Sequence, residues 1–247
     1  MSSKSTFDAG GISLKADLWL SEMLGCPAFG VVASTDGDDI GLLNDTYPAF
    51  AYAKFPVTDV ASVMRLTSLG FRVVDVALNF QGAIAPDTDN RIRFAEAADK
   101  NAVSTIAENA FSLSRFHLDP AIPNPVADKI KSVWASNFFS KKRGDGMVVA
   151  ACNNRIVGFL QLIWTTNGNL SIDLIGIHPQ WRRQGIGGAM IKYAAQNGTD
   201  GSRRPLSLSV GTQVANLPSV RLYESLGFRL ASSQYVMHYH AAKEKYI

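Results

Sequence analysis

At 247 residues the chain has room for one large domain or two small ones, since domains typically run about 100 to 150 residues. Hydrophobic residues make up 47% and charged residues 18%, a balance that excludes a disordered chain and predicts folded cores throughout. The net charge is only +3 and the Lys and Arg residues are scattered, which excludes a nucleic-acid stripe and leaves a modest bias toward anionic ligands.

Cys26 and Cys152 have neither metal-ligand spacing nor a neighbouring His, so both read as small buried hydrophobes and no metal is expected. The N-terminal stretch from Met1 to Asp8 has no apolar segment after it, and no apolar run approaches the roughly 18 residues of a membrane helix. A cytoplasmic protein with no membrane partner is the expectation.

The first predicted elements form an internal echo. Val57 to Arg72 reads VTDVASVMRLTSLGFR and Val214 to Arg229 reads VANLPSVRLYESLGFR, so Gly70 and Gly227 hold equivalent places. Each copy predicts an amphipathic helix stopped by a glycine suited to a left-handed cap, with Phe opening the next strand. Strand-like residues flank both copies: Phe50 to Lys54 and Leu206 to Val210 before them, Val73 to Leu78 and Tyr235 to Tyr239 after them. Leu-Gly-Phe is also a common helix-to-strand corner, so coincidence is the competing account. The copies differ where chemistry would matter, with Asp59 and Leu66 in the first against Asn216 and Tyr223 in the second. The first copy therefore reads as structural.

A polar, turn-rich stretch at residues 84 to 91 then predicts a domain boundary, giving domains 1–88 and 89–247. Beyond it, Asp99 is positioned to cap a helix burying Val103, Ile106, Ala107 and Ala110, and Asn124-Pro125 starts another carrying Ile130, Val133 and Trp134. Met147 to Ala151, Ile156 to Thr165 and Leu170 to Ile177 are strand candidates joined at Asn153-Asn154 and Asn167-Gly168, which predicts an antiparallel meander.

The stretch from Ile175 to Ala189, IGIHPQWRRQGIGGA, sets an apolar strand, a Pro-marked turn and a glycine-rich helix start in succession. Consecutive backbone N–H groups at a helix start, bare of side chains at Gly185, Gly187 and Gly188, can close on an oxyanion at the positive end of the helix dipole. Arg182 and Arg183 stand just ahead and can add charge-assisted bonds to a diphosphate. A P-loop is excluded because no Lys follows Gly187 in the required place, and a dinucleotide loop because Met190 stands where its third glycine belongs. A glycine-loosened helix start without ligand is the bland alternative.

The spacing Arg182-x-x-Gly185-x-Gly187 resembles the pyrophosphate loop of the GCN5-related N-acetyltransferases, the GNAT superfamily, over about residues 91–247. The resemblance implies an α+β fold with a central, mostly antiparallel sheet flanked by helices. Its fourth and fifth strands splay to admit the pantetheine arm, and a smaller truncated GNAT-like domain precedes it. The implied cosubstrate is acetyl-CoA, held by Ile175, Gly176 and Ile177 on the strand and by Arg182, Arg183, Gln184, Gly185, Ile186, Gly187, Gly188 and Ala189 in the loop and helix start. It further implies Asn216 on the pantetheine arm, Ser219 toward the phosphates and Tyr223 as general acid.

Residue chemistry allows the same acid role, because a phenol titrating near 10 can protonate a thiolate of comparable basicity. A half-buried core aromatic is the other reading of Tyr223. Backbone N–H groups between Leu174 and Ile177 are candidates to stabilise the oxyanion, with Gly176 permitting close approach or merely filling a bulge. Asp173 is the nearest carboxylate for a base; His178, or a water chain, is the alternative.

The segments FSLSRF at Phe111 to Phe116 and VGTQVAN at Val210 to Asn216 resemble the bacterial dTDP-fucosamine acetyltransferases, which implies acetylation of the amine of a nucleotide-linked amino deoxysugar. Arg115, Phe116, His117 and Gln213 are the acceptor-binding candidates that follow. Lys141-Lys142-Arg143 reads either as a diphosphate contact or as a solvated loop. The loop from His117 to Pro123 departs from that pattern and leaves the sugar open. Two other readings stand beside this one: an acetyltransferase for a peptide or small-molecule amine, and a non-catalytic CoA-binding module. A symmetric homodimer is the default assembly.

Overall fold

The computed structural model describes residues 11–34, 43 and 46–241, so the N-terminal stretch read above lies outside the described residues. The chain forms two compact units, neither contiguous in sequence. The first comprises residues 1–77, 119–121 and 233–247, the second residues 78–118 and 122–232.

The first unit contains β1 (Gly11–Ala16), α1 (Leu18–Leu24), β2 (Ala28–Ser34), β3 (Ala49–Pro56) and α2 (Val60–Ser68). β1 pairs antiparallel with β2, and β2 runs parallel to β3. The fourth strand is the far end of β10 (Arg229–Ala241), which pairs antiparallel with β3 from Gln234↔Pro56 to Ala241↔Ala49. Ala51, Ala53 and Phe55 alternate inward along β3 and meet Leu66, Phe71 and Met237 in a common core.

The second unit takes up β4 (Arg72–Gly82) from residue 78, then β5 (Ile92–Phe94), α3 (Lys100–Asn109), α4 (Asn124–Ser136), β6 (Gly146–Cys152), β7 (Arg155–Trp164) and β8 (Leu170–Ile177). α5 (Ile186–Asn197), β9 (Leu208–Gln213) and α6 (Leu217–Ser225) complete it. The strand order is β4, β9, β8, β7, β6, β5, with β5 to β8 an antiparallel meander and β9 parallel to β8. Both Asn153 and Asn154 adopt positive φ, the conformation that a two-residue hairpin between twisted strands demands. One face of the sheet packs on α5 and α6 and the other on α3 and α4, through separate apolar clusters.

The sequence echo is a geometric one. Asp59 and Asn216 cap α2 and α6 with nearly the same backbone angles, φ −86° ψ 66° and φ −85° ψ 61°. Gly70 and Gly227 both turn left-handed, at φ 95° and 90°. Phe71 N–H donates to Leu66 O and Phe228 N–H to Tyr223 O, each at 3.0 Å, closing the same six-residue cap.

The units cross the boundary expected at 88/89. The strand that follows α2 ends in the second unit, where Phe80 joins the core, and the strand that follows α6 ends in the first. A second correction concerns Asp99, whose carboxylate makes no side-chain cap to α3. It accepts instead from Arg93 at 2.7 and 2.9 Å and from Glu96 N–H at 2.8 Å. Among the described residues no helix is long and apolar enough to cross a membrane.

Candidate active site

β8 bonds to β9 only through Leu170, Ser171 and Ile172, so the two parallel strands part company at Asp173. The pairing with β7 shifts at the same place: Leu162 faces Ile172 and Gln161 faces Leu174, leaving Asp173 as the extra residue of a bulge. Beyond it, residues 174–177 stay bonded to β7 on one edge only, so alternate amides along this stretch point away from any strand partner.

Gly176 sits inside that stretch for a steric reason. A Cβ there would lie 2.6 Å from the Phe159 ring, so core packing, not ligand approach, demands the glycine. Ile175 and Ile177 lie against the cluster shared with α5 and α6.

The chain leaves β8 through His178, whose Nδ1 accepts from Gln180 N–H at 3.3 Å and so caps the following turn. Arg182 donates to Ile177 O at 3.3 Å and to Ala110 O at 2.8 Å, tying the loop to the ends of β8 and α3. Gln184 reaches back to Gln180 O, and Arg183 and Gly185 are both left-handed, at φ 60° and 75°. Gly185 is the N-cap of α5 and offers no side-chain acceptor, while nothing lies within 4 Å of where its Cβ would stand. The first turn of α5 thus begins with no side-chain cap at the positive end of the helix, the arrangement that suits an anion.

Gly187 and Gly188 do different work. They are buried with Ile186, and a Cβ on Gly187 would meet Leu222 at 3.2 Å and Ile177 at 3.3 Å, so these glycines let α6 and β8 approach α5. Beside them a cleft of about 370 Å³ is lined by Gly185, Ala189 and Lys192 of the α5 segment, Leu222 and Leu226 of α6 and its cap, and Asp87, Thr88, Asp89 and Arg91.

α6 carries the second half of the site. Asn216 accepts from Ser219 N–H at 3.4 Å and donates to Thr212 Oγ1 at 3.2 Å, so its amide serves the helix start. Tyr223 is 2% exposed and lies between Phe80 and Phe228, with ring centroids 5.9 and 5.7 Å away. Burial pushes its phenol up to about 12, against a hydrogen bond with Ser219 that pulls it down.

Three expected site residues sit elsewhere than anticipated. The Asp173 carboxylate receives Arg143 at 2.7 and 2.6 Å, Trp134 Nε1 at 2.8 Å and Gln161 Nε2 at 3.1 Å. Three of these donors fall on Oδ2 and one on Oδ1, so the carboxylate is engaged by Arg143, Trp134 and Gln161, an arrangement that counts against its role as base. It also accounts for Arg143, whose guanidinium lies 4.6 Å over the Trp134 ring and serves Asp173 instead of a diphosphate.

His117 is closed in the same way, with Nδ1 2.6 Å from Ser114 Oγ and Nε2 2.9 Å from Asp128 Oδ1. Phe116 is 1% exposed and stacks under Arg115, so neither His117 nor Phe116 presents an acceptor-binding surface. Arg115 itself and Gln213, at the end of β9, are half-buried. Asp173→Asn is expected to cost about 2 kcal/mol in urea unfolding, less than a fully buried pair because Arg143 is 42% exposed, while kcat changes less than about threefold. A 100-fold loss of kcat in a folded variant would restore the base assignment.

Residues 113–228 match the model of the Acetyltransferase (GNAT) family. The fold is the GNAT fold. It is 26% identical over 149 residues to the spore coat polysaccharide biosynthesis protein SpsD of Bacillus subtilis, covering 60% of this chain and 50% of that one. It is 33% identical over 107 residues to an uncharacterized N-acetyltransferase of Methanocaldococcus jannaschii, covering 40% and 46%. The chain thus spans about half the length of the curated relatives it matches. A GCN5-related N-acetyltransferase structure from Sphaerobacter thermophilus superposes with a TM-score of 0.58 at 12% identity, covering 93% of this chain and 76% of that one.

Proposed function

We propose that the chain transfers the acetyl group of acetyl-CoA to the amine of a nucleotide-linked amino deoxysugar. The observation that carries the cosubstrate site is the uncapped, left-handed start of α5 beside the parting of β8 and β9. The bare first-turn amides suit the paired phosphates, with Arg183 adding charge at the loop, and Lys192 and Arg91 border the neighbouring cleft where the nucleotide end fits. A volume of about 370 Å³ suits a ligand of that size. Asn216 is placed for the pantetheine arm through whichever amide position its cap leaves open.

The bound thioester supplies an activated acyl carbon. The unpaired amides of residues 174–177 are donors for the oxyanion, fixed by the sheet before reaction begins. Tyr223 holds its proton at Oη, kept there by burial against the opposing pull of Ser219, and delivers it to the leaving sulfur. With Asp173 engaged by Arg143, the amine releases its proton to water. An amino sugar suits this route, because neighbouring C–O bonds withdraw electrons and lower the basicity of its amine.

The sugar class rests on the relative in spore coat polysaccharide biosynthesis and on the FSLSRF and VGTQVAN segments. Arg115 and Gln213 remain as acceptor contacts. Thiol release measured against dTDP- and UDP-linked amino sugars and a peptide-amine panel tests the reading. Turnover is expected with a nucleotide sugar at a kcat/KM at least about 100-fold above any peptide. A preferred peptide sinks the sugar assignment, and CoA binding with no turnover on any amine points to a binding module.

A further inference from the structure

His238 and His240 are two residues apart on β10, so both project from one face of the strand. Within the first unit they meet Asp119, which a short segment of chain, residues 119–121, brings alongside. Asp119 Oδ2 lies 2.6 Å from His238 Nδ1 and 2.8 Å from His240 Nε2, while Oδ1 accepts from Ala121 N–H at 2.9 Å. The carboxylate side chain is 4% exposed, His238 1% and His240 33%. The Phe50 ring backs both imidazoles, with centroids 4.8 and 5.1 Å away. Burial on its own would raise the Asp119 carboxyl, but the two imidazoles and the Ala121 amide overcome it and hold the group well below the usual carboxylate range.

Two ring nitrogens and a carboxylate oxygen thus converge, all within 4.8 Å of one another. We propose that Asp119, His238 and His240 form a binding site for a divalent first-row transition-metal ion, with zinc as its representative occupant. The donor set is imidazole, imidazole and carboxylate, which favours zinc and its neighbours over magnesium or calcium.

Metal–ligand bonds of about 2.0 to 2.2 Å place tetrahedral donors roughly 3.3 to 3.6 Å apart, so the oxygen–nitrogen pairs open by about 0.5 to 1.0 Å on binding. Each imidazole then turns a lone pair toward the ion, its proton moving to the other ring nitrogen or to water. Phe50 screens the site from solvent on the side of both imidazoles. His240, the one partly exposed member, gives the entry path and leaves a fourth position to water. The ion ties residues 119–121 to β10 within the first unit.

The test uses the full chain, stripped with a chelator and titrated with zinc chloride by calorimetry and with cobalt chloride by visible absorption. One ion per chain is expected, with the d–d band of tetrahedral cobalt and a raised thermal midpoint. His240→Ala is expected to weaken zinc binding by at least about 100-fold. His240→Gln serves as the second variant, since its amide still donates to Asp119 but is a poor zinc ligand. A wild type that takes up zinc no better than folded His240→Gln overturns the proposal and leaves a hydrogen-bonded triad.

Discussion

Tyr223→Phe is expected to lower kcat by about 100- to 1,000-fold while the affinity for CoA stays within about twofold. The ring's contacts with Phe80 and Phe228 survive the change, so the helix cap and the α6 packing stay in place. What is lost is the hydroxyl and its bond with Ser219, worth about 1 kcal/mol of stability. The pH behaviour separates an acid from a packing residue. Because burial holds the wild-type phenol near 12, it stays protonated through pH 10, and its ionisation contributes no alkaline fall in kcat/KM over the working range. Its proton is lost only as pH rises through the folded value. Stopped assays of both proteins from pH 6 to 10 check this: a variant with near wild-type turnover removes the acid role.

Residues 89–247 expressed alone are expected not to fold cooperatively, although they hold the whole segment that matches the family model. Cutting at residue 88 removes the end of β4, and with it the strand neighbour of β9 and the Phe80 ring that backs Tyr223. It also removes β3, the partner of β10 from residue 234 onward. Deleting Phe80 alone, as Phe80→Ala, is expected to cost about 3 to 5 kcal/mol because the ring is 2% exposed in the larger core. The truncated chain loses that ring and two rows of ladder bonds together. Near-UV circular dichroism and a thermal melt decide it: a sharp, reversible transition in 89–247 shows that the unit closes without β4.

Features encoded within a short window were legible in the sequence. The meander announced itself through apolar runs and Asn turns, and the α5 start through a glycine run that follows a strand and a Pro turn. The echo was visible because helix, left-handed glycine and Phe are local signals. Pairings over long separations were not. Nothing near Asp173 marks Arg143, 30 residues earlier, as its partner, and His117 finds Asp128 only once α4 has folded beside the loop. The same holds for the exit of β4 and β10 into opposite units, since the edge that a strand joins is set by the tertiary core and leaves no periodic trace. Asp119 and His238 stand 119 positions apart, which explains why attention to cysteine spacing missed that cluster.

Leu66 occupies in the first copy the place that Tyr223 holds in the second, beneath the same glycine turn and with 0% exposure. An aliphatic side chain is therefore sufficient to complete that corner. The molecule contains its own comparison: the phenol-free corner has the same shape, so the hydroxyl at position 223 is not what shapes the turn.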